Sequence, residues 1–445
     1  MSLLVLHRNQ LSARRLAQAL RCQEGTTFPE LPPKILLRFG NSEGEEGTVL
    51  TINKSSVIQG LQAKKLAALY KLHRLPFNSQ ARDSREMIVH IIDGFIIATQ
   101  SAKQFSQNER QRALGTALRA MYLARLDLGA VKVAIPARGR IRVKKVMSAP
   151  ALTPSLAKAY AEAIGQYIAR RTNSSSLVGN PDGRLITVTS DEKVLLGADP
   201  EFMIKNIRTG KLIPASRFFT LQGTIGCDNR RSIGELRPAP QSSPYKLTES
   251  IRTLLGRASK KLKNKRYRLL AGSQPFQHFP IGGHIHFGGV PLSFQVMRAL
   301  DNYLLIPLYL VEKSNTAIKR RRYYGYIGDI RLKGPKRFEY RSPGSWLVSP
   351  EVTLAALSLA KVVALSADQL PLDYFADLNA CRSFYRGEKD YFRPLCQHLR
   401  KDLEKLPLYN ELSSSILPLW EMIEQSQEWL EDIDLRESWL LEQET

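Results

Sequence analysis

Apolar residues along 1–175 recur with two different beats. VLHRN (5–9) and KILLRFGN (34–41) are short apolar runs that predict strands, while SARRLAQALR (12–21) and SSVIQGLQAKKLAALYKL (55–72) keep helical spacing. MIVHIIDGFIIATQSAK (87–103) has two apolar halves about Asp93-Gly94, the pattern of a hairpin. NERQRALGTALRAMYLARL (108–126) predicts a helix. LGAVKVAI and IRVKKVM predict another strand pair about a turn at Arg138-Gly139. These elements make a small α/β domain over 1–175. TNSSSLVGNPDGR (172–184), rich in Ser, Asn, Gly and Pro, is the expected linker. A second domain is expected over 185–370, with helices in TESIRTLLGRASKKLK, FQVMRALDNYLLIPLYLV and PEVTLAALSLAKVVALSA. Helical patterns in YFRPLCQHLRKDLEKL and LPLWEMIEQSQEWLEDI set 371–445 apart as a helical appendage.

Within the second domain the two-residue beat of a strand carries charge. GGHIHFGG (282–289) puts His284 and His286 on one face of a strand, with Ile285 and Phe287 on the other. The flanking glycines admit close approach to the backbone. GADPEF pairs Asp199 with Glu201, GELRP pairs Glu235 with Arg237, and RFEYR aligns Arg337, Glu339 and Arg341. With Asp228 in GCDN, five carboxylates and two imidazoles are available to one face of a sheet. Crowded carboxylates stay protonated or repel unless compensated. Oxygen donors with an imidazole suit Mg²⁺ or Mn²⁺ better than zinc. Each piece alone has a plainer reading: Glu339 with Arg337 and Arg341 as a cross-strand ion-pair ladder, Asp199 and Glu201 as a solvated strand face.

Composition adds two constraints. Cys22, Cys227, Cys381 and Cys396 are scattered without metal-binding or redox spacing, which points to a reduced, cytoplasmic protein, and no apolar run approaches a membrane span. The net charge is +24, and it is uneven. Residues 421–445 hold nine acids against Arg436 alone, a net of −8, so the rest carries about +32. Such a field draws polyanions. A basic run, Lys319-Arg320-Arg321-Arg322, precedes YYGYIGDIRLKGPK; it reads as a solvated charge run or as a mouth for phosphate or an acidic substrate, with Arg331 as the candidate residue. Trp346 is expected as a packing anchor, and His73, His90 and His278 as structural.

Two resemblances follow from motif order. Over 1–175, "VH…DG.II", a helix, "LDLGAVKV", "VKKVMSAPALTPS" and a helix ending "YAEAIGQYI" resemble the C-terminal part of an ATP-grasp ligase. Lys132, Lys145 and Met147 stand where that resemblance expects two metal-binding acids and an asparagine. Lysines repel Mg²⁺, so the expectation is a degenerate, nucleotide-incompetent remnant kept for docking or structure. Over about 194–365, GADPEF, GCD…ELRP, GGHIHFG and FEYRSPGSW in order resemble the phage-type amidoligases, carboxylate–amine ligases of the glutamine synthetase and γ-glutamylcysteine ligase superfamily.

That second resemblance implies an α+β fold: a curved antiparallel sheet flanked by helices, holding ATP and two or three Mg²⁺ ions on its concave side. It implies that Glu201, Asp228 and Glu235 hold one metal, and Asp199, His284 and Glu339 another. Arg341 then neutralises the transferred phosphoryl group, with Arg331, Arg337 and Arg237 as further phosphate-side cations and His286 or a carboxylate as proton acceptor. The implied reaction phosphorylates a carboxylate and passes the acyl phosphate to an amine. A protein or peptide end is one option for the substrate. Two alternatives stand beside it: a phosphotransferase on the same fold, and a catalytically dead, basic nucleic-acid binder.

Overall fold

The computed structural model describes residues 3–43, 50–80, 85–137, 139–175, 194–228, 231–262, 266–334 and 336–441. Arg138 of the expected turn, the expected linker from 176 onward and the acids Glu442 and Glu444 lie outside the described residues. The chain divides into two compact units, Met1–Thr187 and Val188–Thr445.

The first unit runs β1 (Leu3–His7), α1 (Leu11–Leu20), β2 (Gln23–Gly25), β3 (Ile35–Phe39), β4 (Leu50–Ile52), α2 (Ser55–Gly60), α3 (Ala63–Leu72), β5 (Glu86–Ile92), β6 (Phe95–Gln100), α4 (Gln107–Leu123), β7 (Leu128–Ala134), β8 (Arg142–Met147) and α5 (Pro154–Ser175). It holds two sheets: a parallel one in the order β2-β1-β3-β4, and an antiparallel one in the order β6-β5-β7-β8. One core joins them, with Val5, Leu37 and Phe39 meeting Ile92, Leu128 and the Leu156, Tyr160 and Ile164 face of α5. The expected hairpin forms. Asp93 and Gly94 both take positive φ, 45° and 84°, the twist that suits a two-residue loop. A reciprocal cap starts α4: Glu109 N–H donates to Ser106 Oγ at 3.3 Å, and Ser106 N–H to Glu109 Oε2 at 3.0 Å. The helix expected over 55–72 is two helices instead. Gly60 ends the first, and Gln62 is extended at φ −63°, ψ 137°.

The second unit continues with β9 (Leu195–Asn206), β10 (Leu212–Ile213), β11 (Ile225–Cys227), β12 (Gly234–Leu236), α6 (Pro244–Lys261), β13 (Tyr267–Leu270), β14 (Gly283–Gly288), α7 (Phe294–Ala299), α8 (Ile306–Val311), α9 (Ser314–Arg320), β15 (Ile330–Gly334), β16 (Arg337–Tyr340), α10 (Pro350–Leu365), α11 (Leu378–Arg386), α12 (Lys389–Leu403), α13 (Pro407–Glu424) and α14 (Leu435–Ser438). Its sheet is antiparallel throughout, in the order β11-β12-β9-β14-β16-β15, with β10 and β13 on the far half of β9. One face is apolar. Ala198, Phe202, Ile285, Phe287, Phe338 and Tyr340 are buried, and the Phe287 and Phe338 rings stack at 4.9 Å.

Between α7 and α8 the helix widens into a π-type turn over Leu300–Leu305. Pro307 has no N–H for the carbonyl one turn back, and a wide turn reroutes the ladder there. Buried Asp301 sits in that turn and accepts from Tyr340 Oη at 2.7 Å and from the Gly328 N–H at 2.8 Å. Both β16 and the segment leading to β15 are thereby tied to the helix beneath.

Residues 371–441, set apart as an appendage by sequence, pack within this second unit. α13 lies on α10, and the helix expected to run to 433 stops at Glu424. Trp429 N–H then donates to Val311 O at 2.8 Å, Ser273 N–H to Glu431 Oε1 at 2.6 Å, and Trp439 Nε1–H to Leu347 O at 2.8 Å. The acids of this tail meet body cations, Glu428 with Lys389 at 2.8 Å and Asp432 with Lys313 at 2.9 Å. Among the described residues no helix is long and apolar enough to cross a membrane.

Candidate active site

Strand register builds the site. Glu235 is the cross-strand partner of Glu201, His284 of Asp199, and His286 of Glu339, which Arg331 faces from the other side. Partners in register point to the same face, so the four motifs noted in the sequence converge as one row of charge opposite the apolar face. At one end Glu339 is fully buried beneath three cations. Lys333 Nζ lies 2.8 Å from Oε2, Arg331 Nη1 3.1 Å from Oε2, and Arg341 Nε 3.1 Å from Oε1. His284 Nδ1 is 3.5 Å from the same carboxylate. Burial alone would raise the Glu339 pKa, but this surround holds it at about 2. Burial, helped by Arg341, pushes His284 well below the usual imidazole range, so its ring is neutral and the three cations keep Glu339 ionised. Arg341 also approaches Asp329 at 3.9 Å.

The other end is different. Glu201 accepts the Gly282 N–H at 2.7 Å, and burial, with Glu235 nearby, raises its pKa to about 8. Burial and Asp199 raise Glu235 as well, although Arg237 Nη2 sits 2.5 Å from it. Asp199 pairs with His286, whose Nε2 is 2.8 Å away. Asp228 accepts the N–H groups of Ser232 and Ile233, each at 3.0 Å, and so braces its own loop.

Over this end lies a cavity of about 240 Å³. Glu201, Asp228, His284, Arg320, Tyr324 and Arg341 line it, with Ile233, Phe279, Pro280 and Ile281 on the apolar side. Arg320 was not singled out as a site residue from sequence. It is buried, not solvated, and donates to Ile281 O at 2.6 Å, Ser342 O at 2.7 Å, Pro343 O at 2.7 Å and Arg341 O at 3.3 Å. It clamps the lead-in of β14 to the lead-out of β16. Arg321 is buried too, paired with Glu312 and stacked on Tyr309 and Phe384. Two residues of the basic run are therefore internal braces, and Lys319 and Arg322 are exposed. Helical placement over Ser314–Arg320 was the run's one readable signal. Tyr324 and His278 also reach the cavity, and Lys333, two residues after Arg331, was legible from the strand beat alone.

Other expected residues stand apart. Arg337 is exposed at the start of β16 and does not line the cavity. Arg237 spends its guanidinium on Glu235 and on the carbonyls of Leu221 and Gly223, at 3.0 and 3.3 Å. Arg331 belongs to the Glu339 surround. The glycines before His284 make room for the protein itself: a Cβ on Gly283 would meet Trp346 Nε1 at 2.4 Å, and Trp346 is fully buried.

Among the described residues no three His, Cys, Asp or Glu side chains are arranged together to hold a metal ion. The two expected ligand trios are thus adjacent on the face without being closed. The chemistry of the donors still fits a hard cation at the Glu201 end, where oxygen ligands crowd and burial, with like-charged neighbours, raises the pKa of Glu201 and Glu235. Glu339 does not fit one as it stands, because this chain's own cations occupy it.

Residues 196–441, more than half of the chain, match the phage phiEco32-like COOH.NH2 ligase-type 2 family. The chain belongs to that family, whose class is carboxylate–amine ligases. No curated protein matches it. Solved structures that overlap it include a bifunctional glutathione synthetase from Pasteurella multocida, at 12% identity and TM-score 0.37 over 60% of this chain and 49% of that one. The ATP-grasp ligase PsnB, complexed with a phosphomimetic variant of minimal precursor, Mg and ADP, overlaps at 12% identity and TM-score 0.28, covering 36% and 97%. The macrocyclase MdnB from Microcystis aeruginosa MRC overlaps at 11% and 0.27, covering 37% and 98%. The chain spans about half the length of the glutathione synthetase, and none of the three superposes closely enough to define either unit.

Proposed function

We propose that this ligase joins a carboxylate to an amine with ATP and Mg²⁺, through an acyl phosphate and with release of ADP, on a glutamine-synthetase-like sheet. The observation that carries the reading is the row Glu235–Glu201, Asp199–His284 and His286–Glu339–Arg331 on one face, beside a cavity walled by Arg320 and Arg341. A carboxylate is a poor electrophile, so phosphorylating it first is the chemical necessity, and phosphoryl transfer asks mainly for positioning and charge neutralisation. At about 240 Å³ the cavity is below the roughly 300–1,000 Å³ of a whole-ligand pocket, and suits the reacting acid and a phosphoryl group, with the nucleoside beyond it.

On this reading Arg341 neutralises the transferred phosphoryl oxygens. Glu339 fixes its guanidinium, and Arg331 and Lys333 keep Glu339 charged. Glu201, Glu235, Asp199 and Asp228 would hold Mg²⁺, with neutral His284 as a nitrogen donor, and the ion bound there would supply Lewis-acid polarisation of phosphate oxygens. His286, oriented by Asp199, receives the proton the amine sheds. Arg237 holds Glu235 in place, and Arg337, at the exposed end of β16, meets only what projects from the cavity. The ligase domain proper is then centred on 185–370, with the helices of 371–441 in the same unit, the first unit is a reduced ATP-grasp-like fold without its metal acids, and the setting is a host cytoplasm.

The test is Mg-ATP with a panel of carboxylic acids and hydroxylamine in place of the amine. Hydroxamate together with ADP is the expected result. AMP would replace the acyl phosphate by an acyl adenylate, and a stable phosphorylated acid with no hydroxamate would make the protein a phosphotransferase.

A further inference from the structure

The first unit holds 28 Lys and Arg against 12 Asp and Glu, so +16 of the chain's +24 sits on 187 of its 445 residues. The stretch 101–145 is more extreme, with eleven basic residues and two acids, Glu109 and Asp127. Both acids are used inside the unit. Glu109 pairs with Arg85 at 2.7 Å, and Asp127 accepts the Asn53 N–H at 3.1 Å.

The cations gather on the β7–β8 hairpin. Lys132 and Lys145 are direct cross-strand partners, a like-charge juxtaposition that costs stability unless something negative lies between. One acid answers them: Glu86 on β5, which pairs with Lys132 and Lys144. Lys145, Arg140 and Arg142 have no carboxylate partner among the described residues, and the first two are exposed. Five cations thus share one carboxylate.

We propose that this face of the first unit binds the phosphodiester backbone of nucleic acid, without reading sequence. A polyanion is what the unbalanced charge calls for, and the choice among polyanions comes from what the face lacks. A protein partner needs apolar or aromatic anchors at the centre of its footprint. In this unit the large apolar side chains exposed among the described residues are Leu11 and Leu31, and neither lies in the hairpin. A phosphate backbone asks only for charge, since backbone contacts position without specifying.

The experiment titrates the full chain with labelled single-stranded and duplex DNA and RNA of equal length over a salt series. Binding should weaken steeply with salt. The triple variant Arg140→Ala, Arg142→Ala, Lys145→Ala should bind at least about tenfold more weakly at about 0.1 M salt and lose roughly 2–3 units of the log–log salt slope, at about 0.7–0.9 per contact. Its melting temperature should match the parent's. Neutralising Arg208, Lys211 and Lys246 of the second unit serves as the control, and should change little. An equal loss in the control, poly-glutamate competing as well as nucleic acid of the same charge, or no binding at low salt would each overturn the proposal. Hydroxamate formation is not the readout, so failure here leaves the ligase reading untouched.

Discussion

The two ends of the charged row hold the same residue type in opposite states. Glu339 is fully buried and yet ionised, because Arg331, Lys333 and Arg341 converge on it. Glu201, two strands away, faces the cavity with the Gly282 N–H and a carboxylate neighbour and makes no ion pair with Arg320 or Arg341 across it, and its pKa climbs to about 8. Burial is common to both; the sign of the neighbours decides. One end is a finished electrostatic structure that holds an arginine in position. The other is an unmet demand for positive charge, which is what a binding site for a cation, or for a protonated group, has to be before its ligand arrives.

The contrast breaks hardest at Glu339. Glu339→Gln leaves three cations around a neutral amide, and unfolding in urea should show a loss of about 3 kcal/mol, toward the low end for a broken buried pair since Arg331 and Lys333 reach solvent. Arg320→Met strands carbonyls on both sides of the cavity. About 2–3 kcal/mol of stability should go with it, along with the hydroxamate activity, and Arg320→Lys should recover only part of either. Glu201 sharpens the comparison through pH. Between roughly 4.5 and 8 the folded protein keeps a proton that the unfolded chain has lost, so stability should fall as pH rises, by at most about 1.4 kcal/mol per unit. Glu201→Gln should flatten that fall, and saturating Mg²⁺ should too. Glu339 contributes in the reverse sense. Its stabilisation is present above about pH 4.5 and is lost as pH drops through about 2, so Glu339→Gln should lower the whole curve above about pH 4.5 and change its slope only on the acid limb. The smallest effect belongs to Arg337→Ala, which should raise KM for ATP by no more than severalfold, about 1 kcal/mol, and leave kcat alone.

Much of this face was legible because a strand alternates. Asp199 with Glu201, His284 with His286, and Glu339 with Arg341 were assigned to one face from spacing alone; register puts the first five there, and Arg341, just past β16, meets Glu339 at 3.1 Å. What spacing does not carry is who pairs with whom across strands. The expected trio joined Asp199, His284 and Glu339; His284 does lie 3.5 Å from Glu339, but Asp199 meets His286, and Glu339 also meets three cations. Arg320 and Arg321 were misjudged for a related reason. A run of four basic residues reads as solvated or as a mouth for an anion, but a helix of about two turns points successive side chains in different directions, and two of the four turned inward. The wide turn at Leu300–Leu305 was hidden too, since an apolar run looks alike in either helical form.

The segment after Glu424 has a consequence for how the protein is made. Its Glu431 and Trp439 complete hydrogen bonds to Ser273 and Leu347, partners roughly a hundred residues or more earlier in the chain. The loop carrying Ser273 can therefore be fastened only after 158 further residues have been made. Closure over such a separation is slow, and during that interval the loops carrying Ser273 and Leu347 lack these partners. Replacing both Glu431 and Trp439 by Ala should for this reason show first as lost soluble yield, ahead of any change in turnover.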